Sequence, residues 1–202
     1  MQFRQISIFL VLFLLSANLI HAKELRIGKK VPDFSLPSSA GQLHELSDYR
    51  GQYVVLEWTN YDCPFVRKHY SSGNMQDLQR EYTGKDVVWL SICSSAPGKQ
   101  GHGSASDHKA KIAEWKITST ALLIDEDGTV GKAYDAKVTP HMFVINGEGE
   151  IVYNGAIDSK RSTNPKDIAD ATNYVKAALD AVMAGGTVEV ANTQPYGCSV
   201  KY

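Results

Sequence analysis

Cysteine is scarce in this chain of 202 residues, which has only Cys63, Cys93 and Cys198. Three thiols form at most one intramolecular disulfide and leave one over, which excludes a disulfide-stapled scaffold. An excess of charge is missing too: 21 Lys and Arg against 22 Asp and Glu leave a net charge of −1. Without a basic footprint, nucleic acid is not an expected partner. No Gly-Lys-Ser/Thr phosphate loop, dinucleotide glycine pattern or nucleophile elbow occurs, and no nucleotide or other cofactor is expected. Long apolar runs are absent save one. Ile6–Leu15 follows Arg4 and leads to a cleavage site ending at Ala22. That pattern predicts a secretory signal peptide over 1–22. The run is short for a bilayer span of about 20 residues, with an uncleaved anchor as the alternative. The mature chain, 23–202, is then one domain working outside the cytoplasm.

What is present centres on Glu57–Tyr70. The apolar run Tyr53-Val54-Val55-Leu56 leads into a polar elbow, Thr59–Asp62, followed by Cys63-Pro64. Proline favours the first helical position, where its missing N–H costs nothing. Cys63 therefore sits at or next to a helix N-cap, facing free N–H groups and the positive end of the helix dipole. Such a position favours the thiolate. Arg67 and Lys68 add positive charge one turn on. A buried structural thiol is the alternative reading of the same residue.

Elsewhere the pattern predicts a helix from Pro64 to Tyr82, weakened at Ser71–Asn74, and a fully buried strand over Asp86–Cys93. Ser94–Ser106 is too rich in glycine for a helix and reads as a mobile active-site rim. A helix over Ser104–Trp115, with Asp107 as capping partner, precedes a strand at Ala121–Ile124. Asp125-Glu126-Asp127-Gly128 lacks the further ligands of a calcium loop and reads as a turn. His141–Ile145 and Glu150–Tyr153 flank the hairpin signal Asn146–Gly149. Asn164-Pro165 predicts a helix with Ile168, Ala171, Val175, Ala178 and Val182 on its apolar face, stopped by Gly185-Gly186. Alternating strands and helices argue an α/β fold with a central sheet.

Cys63-Pro64 after a hydrophobic strand, with Thr139-Pro140 before another, resembles the thioredoxin fold. Val31–Leu36 and Leu46–Gly51 resemble the N-terminal extension of the peroxiredoxin and redoxin branch. Asp62–Tyr70, Ser94–His102, Thr139–Asn146, Asn154–Asp158 and Pro195–Tyr202 resemble a secreted redoxin subgroup of the AhpC/TSA type. The resemblance implies a central mixed sheet flanked by helices, a cis Pro140 packed on the active cysteine, and a thiol-based antioxidant or redox role. Two departures stand out. Against the peroxiredoxin motif Pro-x-x-x-Thr/Ser-x-x-Cys, the proline position holds Leu56 and the hydroxyl position Asn60, with Thr59 one residue away. Against Cys-x-x-Cys, Val66 replaces the second thiol.

On this reading Cys63 is the nucleophile. Pro64 sets the helix, Thr59, Asn60 and the helix N–H groups orient an oxygen, Arg67 supports the thiolate, and Thr139-Pro140 form the facing loop. Cys198, then Cys93, are the candidate resolving thiols, although an inert tail residue and a buried core thiol are their plain alternatives. The expected substrate is a peroxide or a disulfide, and the expected partner an external thiol reductant such as a thioredoxin-like protein. A mixed disulfide with a partner protein is the second possibility. A third is a non-catalytic module binding copper through Cys63, His69 and His141. Against it, His69 reads as a partly exposed helix residue and His141 as a flank of the proline loop.

Overall fold

The computed structural model describes residues 25–202, and the expected signal peptide lies outside them. The described residues open with a small antiparallel hairpin, β1 (Ser35–Pro37) and β2 (Leu43–Glu45), joined by a turn over Ser38–Gln42 and followed by a single 3-10 turn at Leu46–Tyr49. The main sheet combines β3 (Val54–Trp58), β4 (Val88–Cys93), β5 (Ala121–Ile124), β7 (His141–Ile145) and β8 (Ile151–Gly155) in the order β5-β4-β3-β7-β8. β3, β4 and β5 run parallel, while β7 and β8 are antiparallel additions. This is the expected mixed sheet.

Residue alternation along β3 assigns the two faces. Val54, Leu56 and Trp58 pack beneath the N-terminal segment with Phe34, Leu46, Tyr134 and Phe143. Val55 faces the opposite layer. There α1 (Pro64–Ser71), α2 (Asn74–Thr83) and α5 (Tyr174–Met183) contribute Val66, Met75, Leu78, Tyr82, Val175 and Leu179. α3 (Ala105–Trp115) adds the flank of Ile112 and Trp115. Burying each large apolar side chain contributes about 1.5–3 kcal/mol.

The expected weakness after Pro64 is a full break. α1 ends at Ser71 and α2 starts at Asn74, with Gly73 between them at φ 81°, a conformation glycine adopts without the steric cost of a Cβ. The capping box of α3 forms as expected, Ser104 and Asp107 bonding reciprocally. One helix differs from expectation. Asn164 caps only a 3-10 turn, Pro165–Ile168, and α5 begins later with Asn173 accepting from the Lys176 N–H. Ile168 and Ala171 are therefore outside it. The sequence pattern also passes over α4 (Thr129–Ala133), a short helix after the Asp125–Gly128 turn. Two short strands, β6 (Val138–Thr139) and β9 (Cys198–Ser199), pair antiparallel and bring the C-terminal tail back onto the sheet. Among the described residues no helix is long and apolar enough to cross a membrane.

Candidate active site

Cys63 is the N-cap of α1, with extended backbone (φ −78°, ψ 124°) and Pro64 opening the helix. Its carbonyl accepts from the Arg67 N–H at 2.9 Å and its N–H donates to Asn60 O at 2.9 Å, so the elbow is fixed on both sides. The side chain is fully buried. Its Sγ donates to the Thr139 carbonyl at 3.1 Å, and the Thr139–Pro140 bond is cis. The strand-elbow-helix segment thus meets the proline loop as expected.

The tail completes the arrangement. β9 pairs Cys198 with Thr139, the residue whose carbonyl receives the Cys63 thiol. Gly197 lies flat on this loop: a Cβ there would stand 1.9 Å from Thr139 O, so no larger residue fits without displacing the tail. The strand pairing sets Cys198 beside the loop that faces Cys63, close enough for the two thiols to influence each other's acidity.

Their acidities diverge. Burial pushes the Cys63 thiol up, but the Cys198 thiol, Thr139 and the N–H groups of Cys198 and Val66 outweigh it, leaving Cys63 below the ordinary thiol range. The Thr139 hydroxyl has no partner of good hydrogen-bond geometry, and α1 has no side-chain cap bond of ordinary geometry. We therefore assign most of the effect to Cys198 and to the amides around the sulfur. Burial first, and then its neighbour Cys63, push the half-buried Cys198 thiol up to about 11. Asymmetry of this kind leaves one thiol more acidic than usual and one held protonated at neutral pH.

The other expected residues fall in mixed places. Thr59 is buried at the end of β3, and its hydroxyl has no partner. Asn60 is buried, but its amide donates to Gln100 O at 3.0 Å and accepts from the Asp62 N–H at 2.9 Å, which ties the Ser94–Ser106 loop to the elbow. Arg67 points along the surface, donating to Tyr61 O at 3.0 Å and facing Asp62 at 3.5 Å. Cys93, at the end of β4, is buried, and its thiol contacts Gly101 O at 3.4 Å; burial raises its pKa. His69 is fully buried, which corrects the expectation of partial exposure. His141 directly follows Pro140 and bonds Asn154 Oδ1 at 2.8 Å. Among the described residues no three His, Cys, Asp or Glu side chains gather where they could hold a metal ion.

Sequence reasoning missed two buried polar groups. Glu57, on β3, accepts from Tyr70, Gln79, Trp89 and Ser91 inside the helical layer. Lys68, expected only to add positive charge near the thiol, is 1% exposed. Its Nζ donates to Asp158 Oδ2 at 3.0 Å, Lys160 O at 2.8 Å and Tyr196 Oη at 3.3 Å. The segments carrying Asp158 and Tyr196 were singled out by resemblance, but nothing in their spacing indicates a pair with Lys68.

Comparison with known proteins follows the geometry. The chain is 29% identical over 126 residues to thiol-disulfide oxidoreductase ResA of Geobacillus kaustophilus, covering 62% of this chain and 66% of that protein. It is 26% identical over 117 residues to peroxiredoxin Bcp of Bacillus subtilis, covering 55% and 64%. The chain thus spans just under two thirds of these relatives' own length. An uncharacterised conserved protein of Geobacillus kaustophilus has a similar structure, with a TM-score of 0.75, 27% identity and coverage of 89% and 94% of the two chains. The fold is thioredoxin-like. The AhpC/TSA family model matches residues 27–154, more than half of the chain, so this protein belongs to the AhpC/TSA family, with Cys63 and Pro140 inside the matched stretch and Cys198 beyond it.

Proposed function

We propose that this protein is an extracytoplasmic thiol oxidoreductase in which Cys63 attacks a small oxidant, first of all a hydroperoxide, and Cys198 resolves the product. The observation that carries this reading is the facing pair of thiols across Thr139, one acidified and one held protonated. The Cys63 thiolate attacks one peroxide oxygen and the O–O bond breaks. The leaving alkoxide or hydroxide takes a proton from solvent, and Cys63 becomes a sulfenic acid. The Cys198 sulfur then attacks that of Cys63, the S–O bond breaks, water leaves and a disulfide forms. An external dithiol, such as a thioredoxin-like protein, reduces the disulfide and restores both thiols.

The unpartnered hydroxyls of Thr59 and Thr139 offer polar contacts to a peroxide. Arg67 and Asn60, engaged elsewhere, would have to give up their present bonds to take part. The apolar N-terminal run supports work outside the cytoplasm.

The test is stopped-flow consumption of hydrogen peroxide by the purified protein with dithiol reductant. Wild type should turn over, Cys63→Ser should be inactive, and Cys198→Ser should complete one oxidation and stall as sulfenic acid. Activity retained in Cys63→Ser overturns the reading. The second reading, reduction of protein disulfides, is favoured by the name of one relative, thiol-disulfide oxidoreductase. It predicts that Cys198→Ser traps mixed disulfides while peroxide is inert.

A further inference from the structure

Helix α1 carries more than the nucleophile. Five residues after Cys63, on the same helix, Lys68 projects into an almost fully buried cluster with Asp158, Tyr196 and His69. Asp158 Oδ1 accepts from the Tyr196 hydroxyl and from the Lys160 N–H, at 2.9 Å for the latter. Its Oδ2 meets Lys68 Nζ at 3.0 Å and lies 3.9 Å from His69 Nε2. The Lys68 ammonium also stands 5.6 Å over the Tyr196 ring, and Phe65 packs edge-on against that ring at 5.8 Å.

A buried ion pair is a weak source of stability, because desolvation offsets most of the attraction, whereas breaking one partner is costly. Apolar residues would fill this space at least as well. The location of Tyr196 is what gives the cluster meaning. Tyr196 is two residues before Cys198, and Gly197 between them lies against Thr139 O. Beyond Cys198 the tail is tied again: the Val200 N–H donates to Lys137 O, Ala96 N–H donates to Lys201 O, and the Tyr202 hydroxyl donates to Ala136 O. Upstream, Ala191 and Thr193 bond the tail to Asn154, and nearer to Cys198 the Tyr196 hydroxyl meets Lys68 of the helix that bears Cys63 and the carboxylate of Asp158.

The geometry points to Lys68, Asp158 and Tyr196 as positioning residues for the second half of the thiol cycle: they fix the tail to α1 so that Cys198 stays against Cys63. This inference rests on the Cys63–Cys198 reading and assigns it a device for closure. Intramolecular attack gains its rate from a held geometry, so loosening the anchor should slow closure and leave the first attack alone.

The experiment uses 2,2′-dithiodipyridine, an aromatic disulfide that reports each step optically. Attack by the Cys63 thiolate breaks the reagent's S–S bond, releases one thiopyridone and leaves the other half as a mixed disulfide on Cys63. Attack by Cys198 on that Cys63 sulfur releases the second thiopyridone and forms the Cys63–Cys198 disulfide. The reagent supplies the oxidising equivalents, and peptide mass mapping excludes release from Cys93. In Tyr196→Phe, which keeps the ring against Phe65 but removes the hydroxyl, the second phase should slow roughly tenfold or more, the scale of losing a hydrogen bond to a charged group. The first phase should change less than about threefold. Lys68→Met with Asp158→Leu, which replaces the pair by apolar residues of similar volume and avoids a stranded charge, should do the same. If both variants close at the wild-type rate, the positioning role is overturned while the thiol pair stands. If wild type releases no second equivalent from Cys63 and Cys198, both readings fall together. Equal slowing of both phases overturns the positioning role as well, because it marks a general structural loss.

Discussion

At Cys63 a buried sulfur is nonetheless more acidic than a free thiol, because its partners outweigh the loss of water. The largest favourable partner is the Cys198 thiol, so the acidity belongs to the pair. The pH dependence of Cys63 alkylation by iodoacetamide should accordingly have its midpoint below the ordinary thiol value, and Cys198→Ala should move it upward. A midpoint unmoved by that substitution would assign the acidity to α1 alone. Cys198 itself should react only at far higher pH, in line with its rise to about 11. Much of this was legible before any coordinates: Cys-Pro after a strand announces an N-cap thiol, and Cys63 is that N-cap. The fit of Cys198 on Thr139 was not legible, since a two-residue strand pairing across 59 positions leaves no periodic trace. The burial of Lys68 was not legible for a related reason: a cation on a helix is ordinarily solvated, and only the fold brings Asp158 to it.

Helices tell a similar story at the scale of the element. Where a local signal decides, the sequence reading holds: Gly73 breaks α1 from α2, and Ser104 with Asp107 starts α3. Where two signals compete, it errs. Asn164-Pro165 and Asn173 are both sound caps, yet only the second leads into a segment whose apolar residues meet the sheet, with Val175, Ala178 and Leu179 buried. Packing, more than propensity, stabilises a short helix. Asn173→Ala should therefore cost about 1 kcal/mol in urea unfolding, whereas Asn164→Ala, at a solvent-facing 3-10 turn, should cost only a few tenths. Equal losses at the two sites would mean that the Asn164 turn is part of the cooperative unit. α4 escaped notice because five residues are too few for a 3.6-residue period; its first turn is instead held by Asp125, which accepts from the Val130 and Gly131 N–H groups.

For the whole molecule, the buried ionisable groups set how stability follows pH, and they oppose one another. His69 and His141 are pushed down to about 4, mainly by burial, with Asp158 and Asn154 respectively offsetting part of the effect. Unfolding lets both take up protons below about 6.5, so their contribution is complete above that pH and is lost as pH falls through 4. Each shift corresponds to on the order of 3 kcal/mol across that window. Glu57 runs the other way. Burial raises its pKa above the ordinary 4.5 despite its four hydrogen bonds. Its protonated folded form contributes stability that is present below 4.5 and lost as pH rises through the raised value. From about 4.5 up to the raised Glu57 value the two slopes partly cancel, and there wild-type stability should rise with pH less steeply than the histidines alone dictate. Glu57→Gln removes the opposing slope while keeping shape: its amide nitrogen can face the Tyr70 hydroxyl, which turns to accept, and its oxygen still receives Trp89 Nε1–H, now 2.9 Å from the carboxylate. Urea midpoints measured from pH 4 to pH 7 should climb more steeply in Glu57→Gln than in wild type, whatever the offset between the two curves. A variant curve parallel to wild type would place Glu57 in its ionised form throughout and locate the pH response in the histidines only.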